Sequence, residues 1–205
     1  MIDIFDKLPI DLNKLTCHSG GAEGYDTYFE KIGEKYGVKT KAYSYKTSHH
    51  SSKNKVEISE DDFNEGKKMV QRANRTLKRY GISKYINLLS RNWCQVKYSD
   101  EIFAIGYIIE PKSKGNKGYY NKSEFQIVDG GTGYATQMGI DANKLVNVFD
   151  KNKNKWFRWS YTSLKFIEIK EPVISCQNFA GIGTRKINSN GINAIKNLYK
   201  KTFKN

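Results

Sequence analysis

Hydrophobic positions along the chain alternate between spacings of about two and about three to four residues. Residues 25–36, 59–80 and 188–203 each place apolar side chains on one face of a helix. Residues 102–109 form an apolar run rich in β-branched and aromatic side chains, which is typical of a buried strand. The remaining predicted elements are strands at 15–18, 38–45, 145–149 and 174–182, one or two strands at 156–169, and helical segments at 84–90 and 134–141.

This alternation predicts the fold class: α/β, with a Rossmann-like, mainly parallel sheet flanked by helices. The chain has no repeat and no linker, and 38% hydrophobic residues are enough for one core. We therefore expect residues 1–205 to form a single domain, with residues 1–14 as an ordered lead-in. Ligands of such sheets bind at the carboxyl ends of strands, so the loops that follow strands hold the candidate binding residues.

Three glycine-rich turns follow predicted strands and lead towards helices. They are Ser-Gly-Gly-Ala-Glu-Gly-Tyr-Asp at 19–26, Asp-Gly-Gly-Thr-Gly-Tyr-Ala-Thr-Gln at 129–137, and Gly-Ile-Gly-Thr-Arg at 181–185. A glycine-rich turn that opens a helix leaves backbone N–H groups free to bind phosphate. Two such turns on one sheet predict a single nucleotide-sized ligand between two helix N-termini, and the third strengthens that prediction.

The first turn resembles the SGGA-x-G-x-D signature of DNA-processing protein A and its relatives. The second is similar to the PGG-x-GT-x-x-E signature of the Lonely Guy phosphoribohydrolases, and the third to the GTR or GSR turn of the same SLOG superfamily, a Rossmann-like group that binds nucleotides and related ligands. In those families the GTR turn comes first, whereas here it comes last. The resemblance therefore implies a circularly permuted SLOG-like domain.

The resemblance also implies a ligand site built from the three turns. The glycines would form phosphate or ribose cradles, Arg185 would be a forked donor to phosphate, and Asp26 would accept from a ribose hydroxyl or cap its helix. The ligand-binding residues implied in this way are Ser19, Gly20, Gly21, Gly24, Asp26, Gly130, Gly131, Thr132, Gly133, Gln137, Gly183, Thr184 and Arg185.

Two departures from the phosphoribohydrolase pattern bear on the chemistry. Gln137 stands where those enzymes have a catalytic glutamate, and Asp129 stands where they have proline. Because an amide cannot act as a general acid or base, Gln137 favours ligand binding over hydrolysis. If the protein is a hydrolase nonetheless, Asp26 is the candidate catalytic residue, with Glu23 and Asp129 as alternatives. No motif implies a cofactor or a metal.

The net charge of +14 suits an anionic partner, although lysines spread over loops are also consistent with a solvated surface. Three hypotheses stay open. The leading one is a binder of a cyclic nucleotide or an ADP-ribose-type signal, acting as a phage anti-defence sponge. The second is a hydrolase of an N-glycosidic or phosphodiester bond of a nucleotide, and the third is a single-stranded nucleic-acid-binding protein. SLOG relatives commonly dimerise, so a homo-oligomer is a further expectation.

The other conspicuous residues carry weaker predictions. Residues 91–93, Arg-Asn-Trp, could line a base-binding wall or pack in the core, and Trp-Phe-Arg-Trp at 156–159 is expected to be packed. His18 could touch phosphate or be structural, and His49 and His50 favour a polar loop over a metal site. Three dispersed cysteines argue against a disulfide framework. No membrane span or signal peptide is predicted, so we expect a cytoplasmic protein, located in the host cytoplasm if phage-encoded.

Overall fold

The computed structural model describes residues 10–47, 50–116 and 118–204, and within those ranges it has ten strands and five helices. The strands are β1 (Thr16–Ser19), β2 (Lys39–Ser44), β3 (Lys55–Glu57), β4 (Glu101–Gly106), β5 (Ile108–Ile109), β6 (Ile127–Val128), β7 (Leu145–Asp150), β8 (Lys155–Ser160), β9 (Lys165–Ile169) and β10 (Asn178–Gly183). The helices are α1 (Tyr25–Glu34), α2 (Glu60–Leu77), α3 (Ile86–Lys97), α4 (Gly130–Asp141) and α5 (Ser189–Thr202). Short 3₁₀ turns lie at Leu12–Lys14 and Ile82–Tyr85.

Eight of these strands form one sheet in the order β3-β2-β1-β10-β4-β7-β8-β9. The first six strands in this spatial order, β3 across to β7, are parallel to one another. β8 and β9 extend the sheet through antiparallel pairing. β5 and β6 form a separate antiparallel pair. The predicted α/β class and the mainly parallel, Rossmann-like sheet flanked by helices are therefore confirmed.

The sheet separates two hydrophobic clusters because side chains alternate along each strand. On β4, Ile102 and Ala104 face one cluster, whereas Phe103 and Ile105 face the other. The first cluster includes buried residues of α2, α3 and α4, and the second includes buried residues of α1 and α5. Both faces of β4 are covered, which explains why its sequence is an unbroken apolar run.

Several predicted boundaries were wrong in ways that matter for the site. The helical segment predicted at 84–90 is the beginning of α3, which continues to Lys97. Residues 91–93 therefore lie inside a buried helix rather than between a helix and a strand. The second glycine-rich turn is itself helical, since α4 begins at Gly130 and not at 134. The exposed strand β3 was not predicted, and the last strand is shifted to 178–183.

Some predictions fall on residues that the structure does not describe. Residues 1–9 of the predicted lead-in lie outside the described ranges, as does His49. Among the described residues, no helix combines the length and the apolar character needed to cross a membrane.

Candidate functional site

All three glycine-rich turns lie at the carboxyl edge of the parallel sheet. The first runs on from the end of β1, and the third consists of the last three residues of β10, the neighbour of β1 in the sheet, and the two residues after them. The second begins α4, and its Asp129 N–H donates to the carbonyl oxygen of Tyr107, the residue that follows β4 (2.9 Å). The sheet thus brings together three segments that are far apart in sequence, as the binding rule for such sheets requires.

The first and third turns are in direct contact. The Gly183 N–H donates to Asp26 Oδ1 (2.9 Å), and the Tyr25 N–H donates to the Thr184 carbonyl oxygen (3.4 Å). Gly24 has a φ of 119°, and a Cβ there would lie 2.7 Å from the Cα of Arg185. Only glycine tolerates both that backbone conformation and that approach. Gly24 therefore serves to dock one turn onto the other.

Arg91 of α3 packs against the first turn beside this contact, a role that the sequence did not reveal. Its side chain is only 4% exposed, and its Nη1 lies 3.8 Å from Asp26 Oδ2. Nη1 is buried and has no hydrogen-bond partner among the described residues. A buried guanidinium with an unused N–H donor is energetically unfavourable, so it is poised to bind an acceptor.

The absence of a side chain at Gly20 leaves the space that this guanidinium occupies. A Cβ on Gly20 would overlap Arg91 Nη1, so any larger residue would displace it. A Cβ on Gly21 would likewise overlap the imidazole of His50, and the Ser51 N–H donates to the Gly21 carbonyl oxygen (2.8 Å). The first cradle therefore holds protein side chains in this structure. A phosphate bound here would contact Arg91 rather than a bare backbone loop.

Asp26 is the only carboxylate in an ion pair with Arg91 among the residues described. Burial raises its pKa from an ordinary value of 3.8 to about 6, although the positive charge of Arg91 and the Gly183 N–H oppose the change. Burial also lowers the pKa of Arg91, Asp26 raises it, and the charge of Arg185 adds to the lowering. Two guanidinium groups therefore act on one site, and one of them, Arg185, is exposed to solvent.

Ser19 is committed to interactions within the protein. Its hydroxyl donates to Glu30 Oε1 (2.6 Å) and accepts from the Gly21 N–H (3.1 Å). Glu30 also accepts a hydrogen bond from Ser52 through Oε2. These bonds fix the shape of the first turn, so the structure gives Ser19 a positioning role in it.

The second turn is held in place by Arg79. Its two terminal nitrogens donate to the carbonyl oxygens of Gly130 and Val128 (2.6 Å each). Gly133 packs so closely onto the preceding strand that a Cβ would overlap the Val128 carbonyl oxygen, whereas Gly131 has its nearest such neighbour, in Leu89, at 3.9 Å. Arg79 and Gly133 are thus structural, and Gly131 is the open position of this turn.

The other predicted residues of the second turn differ in their surroundings. Thr132 is buried in the first turn of α4. The Gln137 amide donates to Asp141 Oδ1 (2.8 Å), one turn further along the helix. Gln137 therefore bonds along its own helix, away from the glycine-rich end.

Lys151, which follows β7, is a second cation that the sequence did not single out. It is 7% exposed. Its ammonium donates to the carbonyl oxygen of Lys186 (2.7 Å) and to Thr184 Oγ1 (3.4 Å). It also lies 5.2 Å from the ring centre of Tyr25 and 4.7 Å from that of Tyr107. Because Lys151 lies in a lysine-rich turn, its sequence context suggested a surface residue, but it is buried and holds the third glycine-rich turn.

The remaining candidates have structural environments. His18 Nδ1 is hydrogen-bonded to the Tyr43 hydroxyl (2.8 Å), and Trp93, Trp156 and Trp159 are buried. Burial raises the pKa values of the Cys17 and Cys94 thiols, the second to about 12. Within the described ranges, no group of three or more His, Cys, Asp or Glu side chains could hold a metal ion.

Comparisons with known proteins add no assignment. No protein-family model, curated protein or solved structure matches this chain. The function must therefore be inferred from the residues themselves.

Proposed function

We propose that the carboxyl edge between β1 and β10 binds a nucleotide-derived ligand, with its phosphate on Arg91. The observation that carries this proposal is the Nη1 atom of Arg91, which is buried, lies beside Gly20, and has no hydrogen-bond partner in the described part of the chain. Guanidinium groups are well suited to phosphate because they present a planar fork of N–H donors. The Arg91 side chain therefore supplies the specific contact that the glycine-rich turn alone would not.

Three cationic side chains at this edge could contact an anionic ligand. Arg91, Arg185 and Lys151 bring three positive charges, and Asp26 forms an ion pair with only one of them. Because burial raises the pKa of Asp26 to about 6, part of its negative charge is lost in mildly acidic solution. Buried carboxyl groups of Glu30, Asp129 and Asp150 also lie near this edge, so the preference for phosphate rests on the unpartnered Nη1 donor of Arg91 and not on an excess of charge.

The resemblance to the SLOG superfamily supplies the ligand class. The proposed ligand is a cyclic nucleotide or an ADP-ribose-type signal, sequestered by a phage anti-defence sponge in the cytoplasm of a host cell. A circular permutation would give the C-terminal strand a central place in the sheet, and the position of β10 between β1 and β4 supports that proposal. Gln137, at the position of the family's catalytic glutamate, favours binding over turnover.

The proposal is tested by thermal unfolding of the purified protein with a panel of cyclic nucleotides, mononucleotides and ADP-ribose. A ligand at about one hundred times its Kd stabilises the folded state by about 2.7 kcal/mol. For a domain of this size, that corresponds to a rise in Tm of about 5–10 °C. Arg185→Gln, on the exposed side of the site, should reduce the rise. Lys165→Gln, which removes one charge from the edge strand β9, is the matched control.

A nucleotide hydrolase is the second candidate function, and the raised pKa of Asp26 favours it. A carboxylic acid with a pKa of about 6 is suited to proton transfer near neutral pH. This candidate predicts that a nucleotide is converted to product and that Asp26→Asn abolishes conversion without abolishing binding. Intact nucleotide after prolonged incubation with the wild-type protein would exclude it.

Single-stranded nucleic-acid binding is the third candidate, and it rests on a different surface. Tyr80, Tyr119 and Tyr120 are 85%, 60% and 50% exposed, and the Lys122 ammonium lies 4.7 Å from the Tyr80 ring centre. Exposed aromatic rings can stack on bases while neighbouring lysines bind the phosphate backbone of the nucleic acid. This candidate predicts that an oligothymidylate binds with a steep salt dependence and that Tyr80→Ala weakens it. Binding that is absent at low salt would exclude it.

A further inference from the structure

The unusual residue of the second turn is Asp129, which caps α4 in an atypical manner. Its Oδ1 accepts from the N–H of the next residue, Gly130 (2.7 Å). An N-cap aspartate ordinarily accepts from the second or third residue of the helix instead. The residue is 2% exposed, and its other carboxylate oxygen, Oδ2, is buried without a hydrogen-bond partner in the described ranges.

Within the described ranges, no neighbouring cation satisfies this oxygen. Arg79 contributes a favourable charge, but its terminal nitrogens are directed at the carbonyl oxygens of Val128 and Gly130. On another side lies Gly115, where a Cβ would be 3.1 Å from Oδ2. A Cβ there would also overlap Ile109 Cδ1, so Gly115 packs closely over this carboxylate. An unsatisfied buried acceptor of this kind is unfavourable, and a ligand donor would relieve it.

Asp129 also changes the electrostatics of the second turn. A helix N-terminus attracts anions because its N–H groups are unpaired. Here a carboxylate already occupies that place, so a phosphate would meet a buried negative charge. Beside the first turn the unpartnered buried atom is instead a donor, Nη1 of Arg91, and Arg185 adds an exposed guanidinium in the third turn.

We propose that the two ends of the site bind different parts of one ligand. Phosphate binds at Arg91, and Asp129 Oδ2 accepts a hydrogen bond from a neutral donor of the same ligand. The donor is a ribose hydroxyl or an amino group of the base. This inference rests on the proposed nucleotide-binding function and assigns the orientation of the ligand within it. The second turn is then a specificity site for the nucleoside, rather than a second phosphate cradle.

The test measures the affinities of AMP, of its two analogues that each lack one ribose hydroxyl, and of IMP, by calorimetry. Asp129→Asn retains an acceptor for the Gly130 N–H and replaces the second oxygen with a donor group. It should weaken AMP binding by about tenfold, since one lost hydrogen bond is worth about 1.4 kcal/mol. The analogue that lacks the recognised hydroxyl should bind both proteins equally. If the donor is the amino group of the base, IMP, which lacks that group, should instead bind both proteins equally.

The chain offers a closely matched control in Asp141, at the other end of α4. Its Oδ1 is also hydrogen-bonded, to Gln137, and its Oδ2 is also buried without a partner in the described residues. Asp141→Asn should leave AMP affinity unchanged. Inorganic phosphate, which has neither ribose nor base, should bind the wild-type and Asp129→Asn proteins equally.

The outcomes separate the two proposals. If neither AMP nor any other member of the nucleotide panel binds the wild-type protein, both the proposed function and this inference are overturned. If AMP binds but Asp129→Asn leaves every affinity unchanged, only the inference fails. If Asp129→Asn instead strengthens the binding of inorganic phosphate, the second turn is a phosphate site and the orientation is reversed.

Discussion

The replacement of Asp26 by asparagine should change the pH dependence of stability in a defined direction. Asparagine keeps an oxygen that can accept from the Gly183 N–H, but it cannot ionise, so it stands in for the protonated acid. Burial raises the pKa of Asp26 from 3.8 in an exposed chain to about 6 in the folded protein. Between these two pH values the folded state therefore holds a proton that the unfolded state has released.

This difference fixes both the sign and the size of the effect. Because the folded state binds more protons, the wild-type protein loses stability relative to Asp26→Asn as the pH rises through this window. At about 1.4 kcal/mol for each tenfold difference in proton affinity, the total loss is about 3 kcal/mol. About two thirds of it should occur between about pH 4.5 and pH 7.5, and the difference should be level above that range.

The assay is urea unfolding of both proteins at a series of pH values, with the free energies of unfolding subtracted at each pH. Asp62→Asn provides a control of opposite sign. Burial raises the pKa of Asp62, but the hydrogen bonds from Lys97 and Tyr98 outweigh it, and the net change is downward. Wild-type stability relative to Asp62→Asn should therefore rise with pH. A flat or rising difference for Asp26→Asn would refute the view that Asp26 is a buried, desolvated acid.

Three further predictions concern packing, reactivity and binding. Gly133→Ala should destabilise the protein by about 3 kcal/mol or more because its Cβ would overlap a carbonyl oxygen, whereas Gly131→Ala should be nearly neutral in urea unfolding. Thiol labelling should modify the partly exposed Cys176 first and reach the other two cysteines only on unfolding. Sulfate, which keeps its charge across this pH range, should bind more tightly as Asp26 becomes protonated, and calorimetry of Asp26→Asn should show no such dependence.

The fold was predictable because its core strands carry strong local signals. The apolar run of β4 and the helical spacing of α1 and α5 each point to the element that forms. The glycine turns could also be placed at strand ends, and hence at one edge of the sheet. Predicted boundaries were less accurate at glycine-rich segments such as the start of α4. Glycine has a low helix propensity and so predicts a turn there, but tertiary packing offsets that propensity and a helix forms.

The chemistry of the site was harder to predict because it depends on contacts between distant segments. Arg91 lies in a helix whose end was misjudged, and its guanidinium reaches the first turn only when α3 packs against β1 and β10. Lys151 resembled one more surface lysine, although the fold buries it. Asp129 was conspicuous as a departure from the family pattern, but its unpartnered oxygen is a property of the folded protein. Arg91 stands between Ser90 and Asn92, so its sequence neighbours offered no signal that its guanidinium is buried.

The central claim is that Arg91 binds the phosphate of a nucleotide-derived ligand. The most direct measurement is mass spectrometry of the small molecules released when the protein is denatured, after purification and after incubation with the nucleotide panel. Arg91→Gln should be measured alongside, with its folding checked by circular dichroism and with Arg185→Gln as an exposed second variant. The account predicts an intact nucleotide from the wild-type protein and a reduced amount from folded Arg91→Gln. Equal amounts from both proteins, or none from the wild-type protein, would contradict it.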